Sequence, residues 1–284
     1  MLRHVDVSLE PVRIRTAWAL ARACHPEPTA AVTALVTVLA LRWGRGAGTV
    51  WVTSAVLCGQ LSVGWANDFL DRDLDAGRPD KPIASGELSP ALASRAAVVA
   101  LVLAVSLSLL SGVAATAAHA VGLALAHAYN LRLKRSPLSI AAYAVAFAMA
   151  PAFVTLGLPA HRLPPAWVMV AAALLGAGAH FTQTLGDHDR DREAGIRGLP
   201  QVMGRRASVL AAGTLLGAAA IAATLGPGRP GLASLVLLGT SLVLVAGTVA
   251  TGLAGRFRDS FHFTVGAAGA AVLTLVVGTG SGFS

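Results

Sequence analysis

Two groups of aspartates stand at the ends of long apolar runs in this chain. The first, at residues 67–75, reads NDFLDRDLD, and the second, at residues 187–191, reads DHDRD. We call these segments the first and second acidic motifs. Carboxylates crowded at the edge of an apolar segment repel one another, and their desolvation is costly unless a cation lies among them. Together the motifs predict a site that holds a cation and, through it, an anionic ligand.

Helical spacing selects particular aspartates within each motif. At about 100° per residue, side chains three, four or seven positions apart share one face of a helix. Asp73 and Asp189 point away from these faces. Carboxylate oxygens are hard ligands, and Mg²⁺ in particular combines a few carboxylates with substrate phosphates. The expected Mg²⁺ ligands are Asp68, Asp71, Asp75, Asp187 and Asp191, and the last four are also the expected catalytic residues.

The elements that carry these motifs have the composition of a polytopic membrane protein. Of the 284 residues, 55% are hydrophobic and 13% are charged, whereas soluble domains carry about 25% charged residues. Apolar runs alternate with short polar loops, which predicts an all-α protein with nine transmembrane helices. No long polar linker interrupts these runs, so we expect a single domain over residues 1–284.

Each predicted span approximates the roughly 20 residues that cross a hydrocarbon core. The first is short and is expected to begin earlier, inside a cytoplasmic lead-in at residues 1–22 that forms an amphipathic surface helix. This lead-in lacks the charged and then apolar order of a signal peptide. The spans are expected at residues 29–41, 47–70, 90–110, 113–130, 138–158, 166–186, 207–225, 232–253 and 261–277.

The basic residues are divided unequally between the two ends of the spans. If nine helices alternate in direction, one side carries 18 of the 22 Lys and Arg residues and all 14 acidic residues. The positive-inside rule places that side, with the N-terminus and both acidic motifs, in the cytoplasm and the C-terminus outside. The expected location is the cell membrane, crossed many times. The basic residues of the opposite side are Arg42, Arg45, Arg162 and Arg229.

Composition and spacing disfavour several other classes of protein. The net charge of +8 is dispersed among loops without an aromatic-studded basic face, so no nucleic-acid partner is expected. Cys24 and Cys58 lie in different segments and form no CxxC pair, which disfavours a thiolate metal site and a disulfide. A transporter would scatter single acids through its spans, whereas here the acids stand at span ends. A transporter is therefore the least favoured function that we retain.

Basic residues flank both acidic motifs in the sequence. A diphosphate gains negative charge as it leaves a carbon atom, so it needs direct cationic contacts as well as a metal ion. Taken singly, most of these residues are also explained by lipid headgroups or by membrane topology. The candidates are Arg72, Arg78 and Lys81 after the first motif, Arg190, Arg192 and Arg197 around the second, and Arg132, Lys134 and Arg135 between them.

These segments resemble the UbiA superfamily of membrane prenyltransferases. The first acidic motif matches that family's NDxxDxxxD, and RPDKPIASG at residues 78–86 resembles the RPxRPIxSG stretch that follows it. Residues 129–134 resemble the family's Tyr and Lys segment after the fourth span. Residues 187–200 resemble its second aspartate motif with an AGxRxLP tail. The resemblance spans the whole nine-helix layout.

The resemblance implies an all-α bundle around a central cavity that opens laterally to lipid. It implies Mg²⁺-dependent transfer of a prenyl group from an isoprenyl diphosphate to a small hydrophobic or aromatic acceptor within the bilayer. Both acidic motifs would then bind Mg²⁺ and the diphosphate. The residues that are expected to contact the substrate are Arg22, Asn67, Arg78, Lys81, Tyr129, Lys134 and Arg197.

One position departs from the family pattern. Many members have an aspartate where this chain has Thr184, preceded by Gln183. Thr184 is a poorer metal ligand, so either one Mg²⁺ is held more loosely or the acceptor differs. Gln183 and His180 are expected either to line the cavity or to form hydrogen bonds within the bundle. His119 and His127 are expected to be structural.

The sequence leaves two enzymatic reactions open on the same site. A prenyltransferase requires an external acceptor, whereas a UbiA-type intramembrane terpene cyclase would convert a prenyl diphosphate alone into a hydrocarbon. Neither the acceptor nor the length of the prenyl chain can be inferred, because the spans consist largely of Ala, Leu, Val and Gly. Protein partners are not indicated.

Overall fold

The computed structural model describes residues 12–279. Over this range the regular structure is entirely helical. The helices are α1 (Val12–Ala23), α2 (Pro26–Arg42), α3 (Gly48–Leu70), α4 (Pro90–Leu109), α5 (Val113–Leu131), a 3₁₀ helix (Leu133–Arg135), α6 (Ser139–Leu156), α7 (Ala166–Gln183), α8 (His188–Glu193), α9 (Leu199–Met203), α10 (Arg205–Leu225), α11 (Leu232–Leu253) and α12 (Phe257–Thr279).

Length and apolar composition indicate which helices could cross a membrane. Among the described residues, six helices are long and apolar enough, or seven if the bent pair α1 and α2 forms one span. The chain is therefore an integral membrane protein, but six or seven long apolar helices do not confirm the predicted nine spans. Helices α3 and α5 have the necessary length. They are less apolar than those six or seven helices because they carry polar residues, among them Gln60, Asn67, His119 and Asn130.

Most helix boundaries lie close to the predicted ones, and the differences occur at the polar ends. The first predicted span begins earlier, at Pro26, and meets α1 at an angle of 69°. His25 forms the bend with a left-handed backbone (φ 54°), and proline suits the first turn that follows. Residues 12–22 of the lead-in are helical and belong to α1, while residues 1–11 lie outside the described range.

The first acidic motif begins on α3 and continues beyond the end of that helix. Helix α3 ends at Leu70, so Asp71 and Asp75 lie beyond it rather than on one continuous helical face. The turn that follows keeps a helical hydrogen bond, from the Asp75 amide to the Asp71 carbonyl at 2.8 Å. Gly77 then adopts φ 83° and turns the chain away. The helical spacing of Asp71 and Asp75 is therefore preserved by a turn.

Six helices form a ring around a central cavity. Helices α2, α3, α5, α6, α7 and α12 contact one another in that order, and α12 returns to α2. Helices α4, α10 and α11 pack outside this ring and contribute no cavity-lining residue. The largest buried apolar cluster closes the end of the cavity that lies farthest from the acidic motifs, with Val36, Leu39, Val56, Phe153, Val272 and Leu275 at the junction.

Small residues allow the backbones of these helices to approach closely. Gly64 of α3 lies against the backbone of Cys24, so that an added Cβ would be 2.8 Å from the Cys24 Cα. A backbone atom cannot move aside as a flexible side chain can. We expect Gly64→Ala to lower the free energy of unfolding by about 1–3 kcal/mol, which thermal unfolding in detergent would measure.

The same substitution elsewhere in the chain provides the control. Gly239 of α11 is exposed, and nothing lies within 4 Å of a Cβ added there. Gly239→Ala should leave the unfolding midpoint unchanged or raise it slightly, because alanine has the higher helix propensity. Equal midpoints for the two variants would contradict the close approach of α3 to the α1–α2 bend.

Candidate active site

The central cavity has a volume of about 420 Å³ and two chemically distinct ends. Its charged end contains residues of both acidic motifs and of the loop 71–89. The opposite, apolar end lies among side chains of the six ring helices and reaches residues that are many turns away from the motifs. The apolar lining includes Val32, Leu35, Leu39, Val56, Leu123, Met149, Phe153, Leu175, Val265, Val272 and Leu275.

Arg78 joins the two acidic motifs. Its Nη1 atom lies 3.2 Å from Asp75 Oδ1 and 3.1 Å from Asp187 Oδ1. The same side chain is anchored to Asp80, whose carboxylate lies 2.6 Å from Nη2. Hydrogen bonding to Asp80 raises the pKa of Arg78 above its usual range. Segments more than 100 residues apart in sequence (Arg78 and Asp187 are 109 apart) therefore meet at one permanently charged guanidinium.

Lys81 contacts two aspartates of the first motif. Its Nζ atom lies 3.4 Å from Asp68 Oδ1 and 3.5 Å from Asp75 Oδ2. The Asp68 side chain is only 1% exposed, and its Oδ2 atom has no hydrogen-bond partner. Asp68 lies behind the residues that line the cavity, whereas Lys81 and Asp75 face it. A buried carboxylate oxygen without a partner is an unsatisfied acceptor for a cation.

Asp71 is held from two sides. Lys134, on the 3₁₀ helix that follows α5, forms an ion pair with Asp71 Oδ1. Asn67 donates a hydrogen bond to Asp71 Oδ2 at 2.9 Å. The buried Asn130 accepts from Asn67 at 3.3 Å and donates to the Val63 carbonyl at 3.0 Å. The side chains of α3 and α5 thus orient the Asp71 carboxylate toward the cavity.

Asp191 is the most perturbed carboxylate of the second motif. Burial, followed by the negative charge of Asp187, raises the pKa of Asp191 to about 6. Gln201 donates a hydrogen bond to Asp191 Oδ2 at 2.8 Å. Arg190 also lines the cavity and lies 3.3 Å from Asp187. Asp187 and Asp191 thus present negative charge that a further cation would stabilise.

We expect Gln201→Met to raise the Mg²⁺ concentration needed for half-maximal activity about 10- to 100-fold, the usual effect of removing a group that orients a metal ligand. The reason is that Asp191 loses the donor that holds its carboxylate. Activity measured against Mg²⁺ concentration would test this. The thermal unfolding midpoint serves as the control, since a variant that loses activity only by unfolding would also lower that midpoint. An unchanged Mg²⁺ dependence would contradict the role of Gln201.

An aromatic group lies beside the charged end of the cavity. The rings of Tyr129 and Tyr143 meet edge to face at 5.0 Å, and Tyr143 stacks on His180 at 4.6 Å. The Tyr143 hydroxyl donates a hydrogen bond to Gln183 Oε1 at 2.9 Å. His180 is buried behind the two tyrosine rings, and its Nε2 atom lies 3.1 Å from Ser139 Oγ. Gln183 therefore lines the cavity, whereas His180 supports the residues that do.

The structure does not bring every predicted site residue together. Arg22 forms an ion pair with Glu87 and does not line the cavity. Arg197 lies with Arg192 at a second pocket and does not line the central cavity. Asp73 is 84% exposed and contacts Arg72, in agreement with the direction expected from helical spacing. The predicted residues that do line the cavity are Asn67, Asp71, Asp75, Arg78, Lys81, Tyr129, Lys134, Asp187 and Asp191.

Some residues of the cavity were not singled out by sequence reasoning. His25 lines it next to Lys81, with 3.4 Å between the two nitrogens. Its left-handed backbone, just before Pro26, is uncommon for a residue other than glycine, and such conformations often occur at functional sites. Asn130, Tyr143 and Gln201 offer no such signal, because each is a single polar residue that only packing brings to the site.

The donor set fits Mg²⁺ bound together with a phosphate ligand. Within residues 12–279, no three Asp, Glu, His or Cys side chains converge as a complete metal site. Mg²⁺ commonly takes only one or two carboxylates and completes its coordination with phosphate oxygens and water. The unpartnered Asp68 oxygen and the cavity-facing Asp71, Asp75, Asp187 and Asp191 supply oxygen ligands of this kind.

Solved structures share this fold. A UbiA homologue from Archaeoglobus fulgidus bound to GPP and Mg²⁺ has a TM-score of 0.65 at 16% identity, with 90% of this chain and 99% of that chain covered. A UbiA homologue from Aeropyrum pernix K1 gives 0.69 at 20% identity, with 88% and 98% covered. A digeranylgeranylglyceryl phosphate synthase gives 0.66 at 17% identity, with 93% and 98% covered.

The sequence comparison agrees with the structural one. No curated protein matches the chain. The model of the UbiA prenyltransferase family matches residues 28–278, which include both acidic motifs and all but three terminal residues of the ring helices. The chain therefore belongs to the UbiA prenyltransferase family.

Proposed function

We propose that this protein transfers a prenyl group from an isoprenyl diphosphate to an acceptor bound in the same cavity. The observation that carries the proposal is the junction of both acidic motifs at Arg78, at the charged end of an otherwise apolar cavity. A diphosphate with a hydrocarbon tail has the same division between a charged and an apolar part. The fold is shared with UbiA homologues whose structures contain GPP or DMAPP with Mg²⁺.

The residues of the charged end would bind and stabilise the diphosphate. As the bond between C1 and oxygen breaks, its electron pair leaves with the diphosphate, and the acceptor atom forms the new bond to C1. Arg78, Lys81 and Lys134 are the cations placed to contact the departing oxygens. Asp68, Asp71, Asp75, Asp187 and Asp191 are the carboxylates that would hold Mg²⁺, one or two to each ion. The bound metal would supply further positive charge to the departing oxygens. The acceptor loses a proton, for which Asp191 and Asp75, which both line the cavity, are candidate bases.

The apolar part of the cavity would hold the prenyl tail. Tail binding there excludes water, which would otherwise capture the electron-deficient C1. Along α3, the lining runs from Val56 to Asp71, or about 22 Å at 1.5 Å per residue. This depth is most of a hydrocarbon core of about 30 Å, so the substrate would lie along the membrane normal.

The proposal includes the arrangement of the chain in the membrane. We infer that α2 to α7 and α10 to α12 each cross the bilayer, which gives nine spans in a single domain. The charge distribution along the chain supports a cytoplasmic N-terminus, cytoplasmic acidic motifs and an external C-terminus in the cell membrane. Polar residues on α3 and α5 are compatible with crossing, because they face the cavity or a neighbouring helix rather than lipid.

Product analysis tests the reaction. Membranes that contain the protein would be given Mg²⁺ and dimethylallyl, geranyl, farnesyl or geranylgeranyl diphosphate, each with and without a panel of aromatic acceptors. We expect a prenylated acceptor by mass spectrometry and diphosphate release that depends on the acceptor. A hydrocarbon product formed without acceptor would identify a terpene cyclase instead. Flux across vesicles without any product would favour a transporter.

A further inference from the structure

His25 is a polar residue in the wall of the cavity that the proposed reaction does not yet use. It lies at the charged end, in the bend between α1 and α2, and its Nε2 atom is 3.4 Å from Lys81 Nζ. Burial, followed by the positive charge of Lys81, lowers the pKa of His25 to about 4. An ammonium group can only donate hydrogen bonds, so the neutral imidazole accepts through Nε2 and carries its proton on Nδ1.

The backbone holds His25 in an uncommon conformation. Glycine aside, only two of the described residues have a left-handed backbone, His25 (φ 54°) and His161 (φ 47°). This conformation costs free energy and persists where neighbouring contacts fix it. Beside His25, Gly64 of α3 packs against the backbone of Cys24, whose carbonyl also accepts a hydrogen bond of 2.8 Å from Thr29. The imidazole is thus held in place by the packing of this bend against α3.

Lys81 has three acceptors for its three N–H bonds. The distances from Nζ are 3.4 Å to Asp68 Oδ1, 3.5 Å to Asp75 Oδ2 and 3.4 Å to His25 Nε2. Both aspartates are also expected to hold Mg²⁺, so their oxygens are shared between two cations. Mg²⁺ prefers oxygen ligands, which leaves the imidazole as the acceptor that is not shared with the metal.

Arg78 is held in a comparable way. Its anchor is Asp80, which is not an expected metal ligand and does not line the cavity. Lys81 differs because its separate acceptor is uncharged. A neutral acceptor fixes the direction of the ammonium group without cancelling its positive charge, and that charge remains available to a phosphate oxygen.

We infer that His25 is a positioning residue, which holds Lys81 toward the diphosphate while Asp68 and Asp75 hold Mg²⁺. This inference rests on the proposed function, in which Lys81 contacts the diphosphate. It adds to the substrate site a residue of the α1–α2 bend, outside both acidic motifs. Because His25 acts through Lys81, the effect of removing the imidazole should depend on the presence of that lysine.

Binding of an unreactive donor tests this role without an acceptor. Geranyl S-thiolodiphosphate, in which sulfur replaces the oxygen between C1 and phosphorus, would be titrated with Mg²⁺ into the purified protein in lipid nanodiscs by calorimetry. We expect His25→Leu to raise Kd about 10-fold, since a hydrogen bond to a charged group is lost. His25→Gln keeps an acceptor oxygen and should stay within about threefold of the unmodified protein.

His161 provides a matched control, because it has the same side chain and the same left-handed backbone. It lies in the loop between α6 and α7 and does not line the cavity. His161→Leu should therefore leave Kd unchanged. The thermal unfolding midpoint shows whether each variant is folded, and His25→Phe is a second variant without an acceptor should the leucine variant unfold.

A double-mutant cycle identifies the partner of His25. In a Lys81→Met background, His25→Leu should change Kd by less than about twofold, because the group that it positions is gone. An equal change with and without Lys81 would overturn the inference, as would an unchanged Kd in the His25→Leu single variant. Both of these results would leave prenyl transfer intact. If the unmodified protein does not bind the thiolodiphosphate in the presence of Mg²⁺, the proposed function fails, and this inference with it.

Discussion

Replacement of Asp71 by Asn is expected to lower Mg²⁺-dependent diphosphate release roughly 10²- to 10³-fold, the scale found when one preorganised electrostatic contact is removed from an active site. The amide keeps the size of the side chain and loses its charge. Lys134 would lose its carboxylate partner, and the hydrogen bond from Asn67 would lose its charged acceptor. Release of inorganic diphosphate from membranes supplied with an isoprenyl diphosphate and a competent acceptor would measure the effect.

Asp73 offers a matched control two residues away. Its side chain is 84% exposed, contacts Arg72 and does not line the cavity. Asp73→Asn makes the same chemical change in the same loop, and we expect activity within about twofold of the unmodified protein because exposed ion pairs contribute little. Comparable loss in both variants would show that the loop requires its total negative charge rather than a particular ligand. Full activity of Asp71→Asn would refute the site.

Replacement of Arg78 by Met should raise KM for the isoprenyl diphosphate about 10- to 100-fold, the value of one or more charged hydrogen bonds. Arg78 is the cation shared by Asp75, Asp80 and Asp187. Methionine retains much of the length and volume but leaves these carboxylates without their common partner. Steady-state kinetics with the isoprenyl diphosphate as the varied substrate would measure the change in KM.

Arg72 is the corresponding control for Arg78. Its guanidinium lies 4.8 Å from the centre of the Phe69 ring and contacts the exposed Asp73. Arg72 does not line the cavity, so Arg72→Met should leave KM for the diphosphate unchanged. If both variants raised KM equally, the effect would come from the net charge of the side of the protein that carries the acidic motifs and not from a contact. The dependence of KM on salt concentration would then distinguish a long-range charge effect from a direct contact, because long-range attraction is screened.

The acidic motifs were recognisable in the sequence because their signals are local. Apolar runs of membrane-spanning length end at the motifs, and the spacing of the aspartates follows the helical period, even though the structure places Asp71 and Asp75 on a turn. A helical turn and a helix share nearly the same geometry over one turn. The side-chain directions of Asp71, Asp73 and Asp75 could therefore be predicted from helical spacing, although these residues lie beyond the end of α3.

The basic residues show where local patterns stop being informative. Arg22 and Lys134 are both cations near a helix end, yet only Lys134 reaches the cavity. Arg22 lies on α1, which turns by 69° from α2 and directs this side chain toward Glu87. That angle arises from the His25 bend and from packing against α3, including the Gly64 contact with Cys24. No pattern within α1 contains this information.

The amino-acid sequence alone determined the helical membrane class, the family resemblance and the aspartates of the candidate site, since each depends on composition or on spacing within about ten residues. Only the tertiary structure decided which cations face those aspartates, which neutral groups lie beside them and how charge is balanced in the cavity. Arg78 meets Asp187 across 109 residues, and Gln183 meets Tyr143 across 40. Such contacts are set by how helices pack around a shared space, and they depend on the whole chain at once.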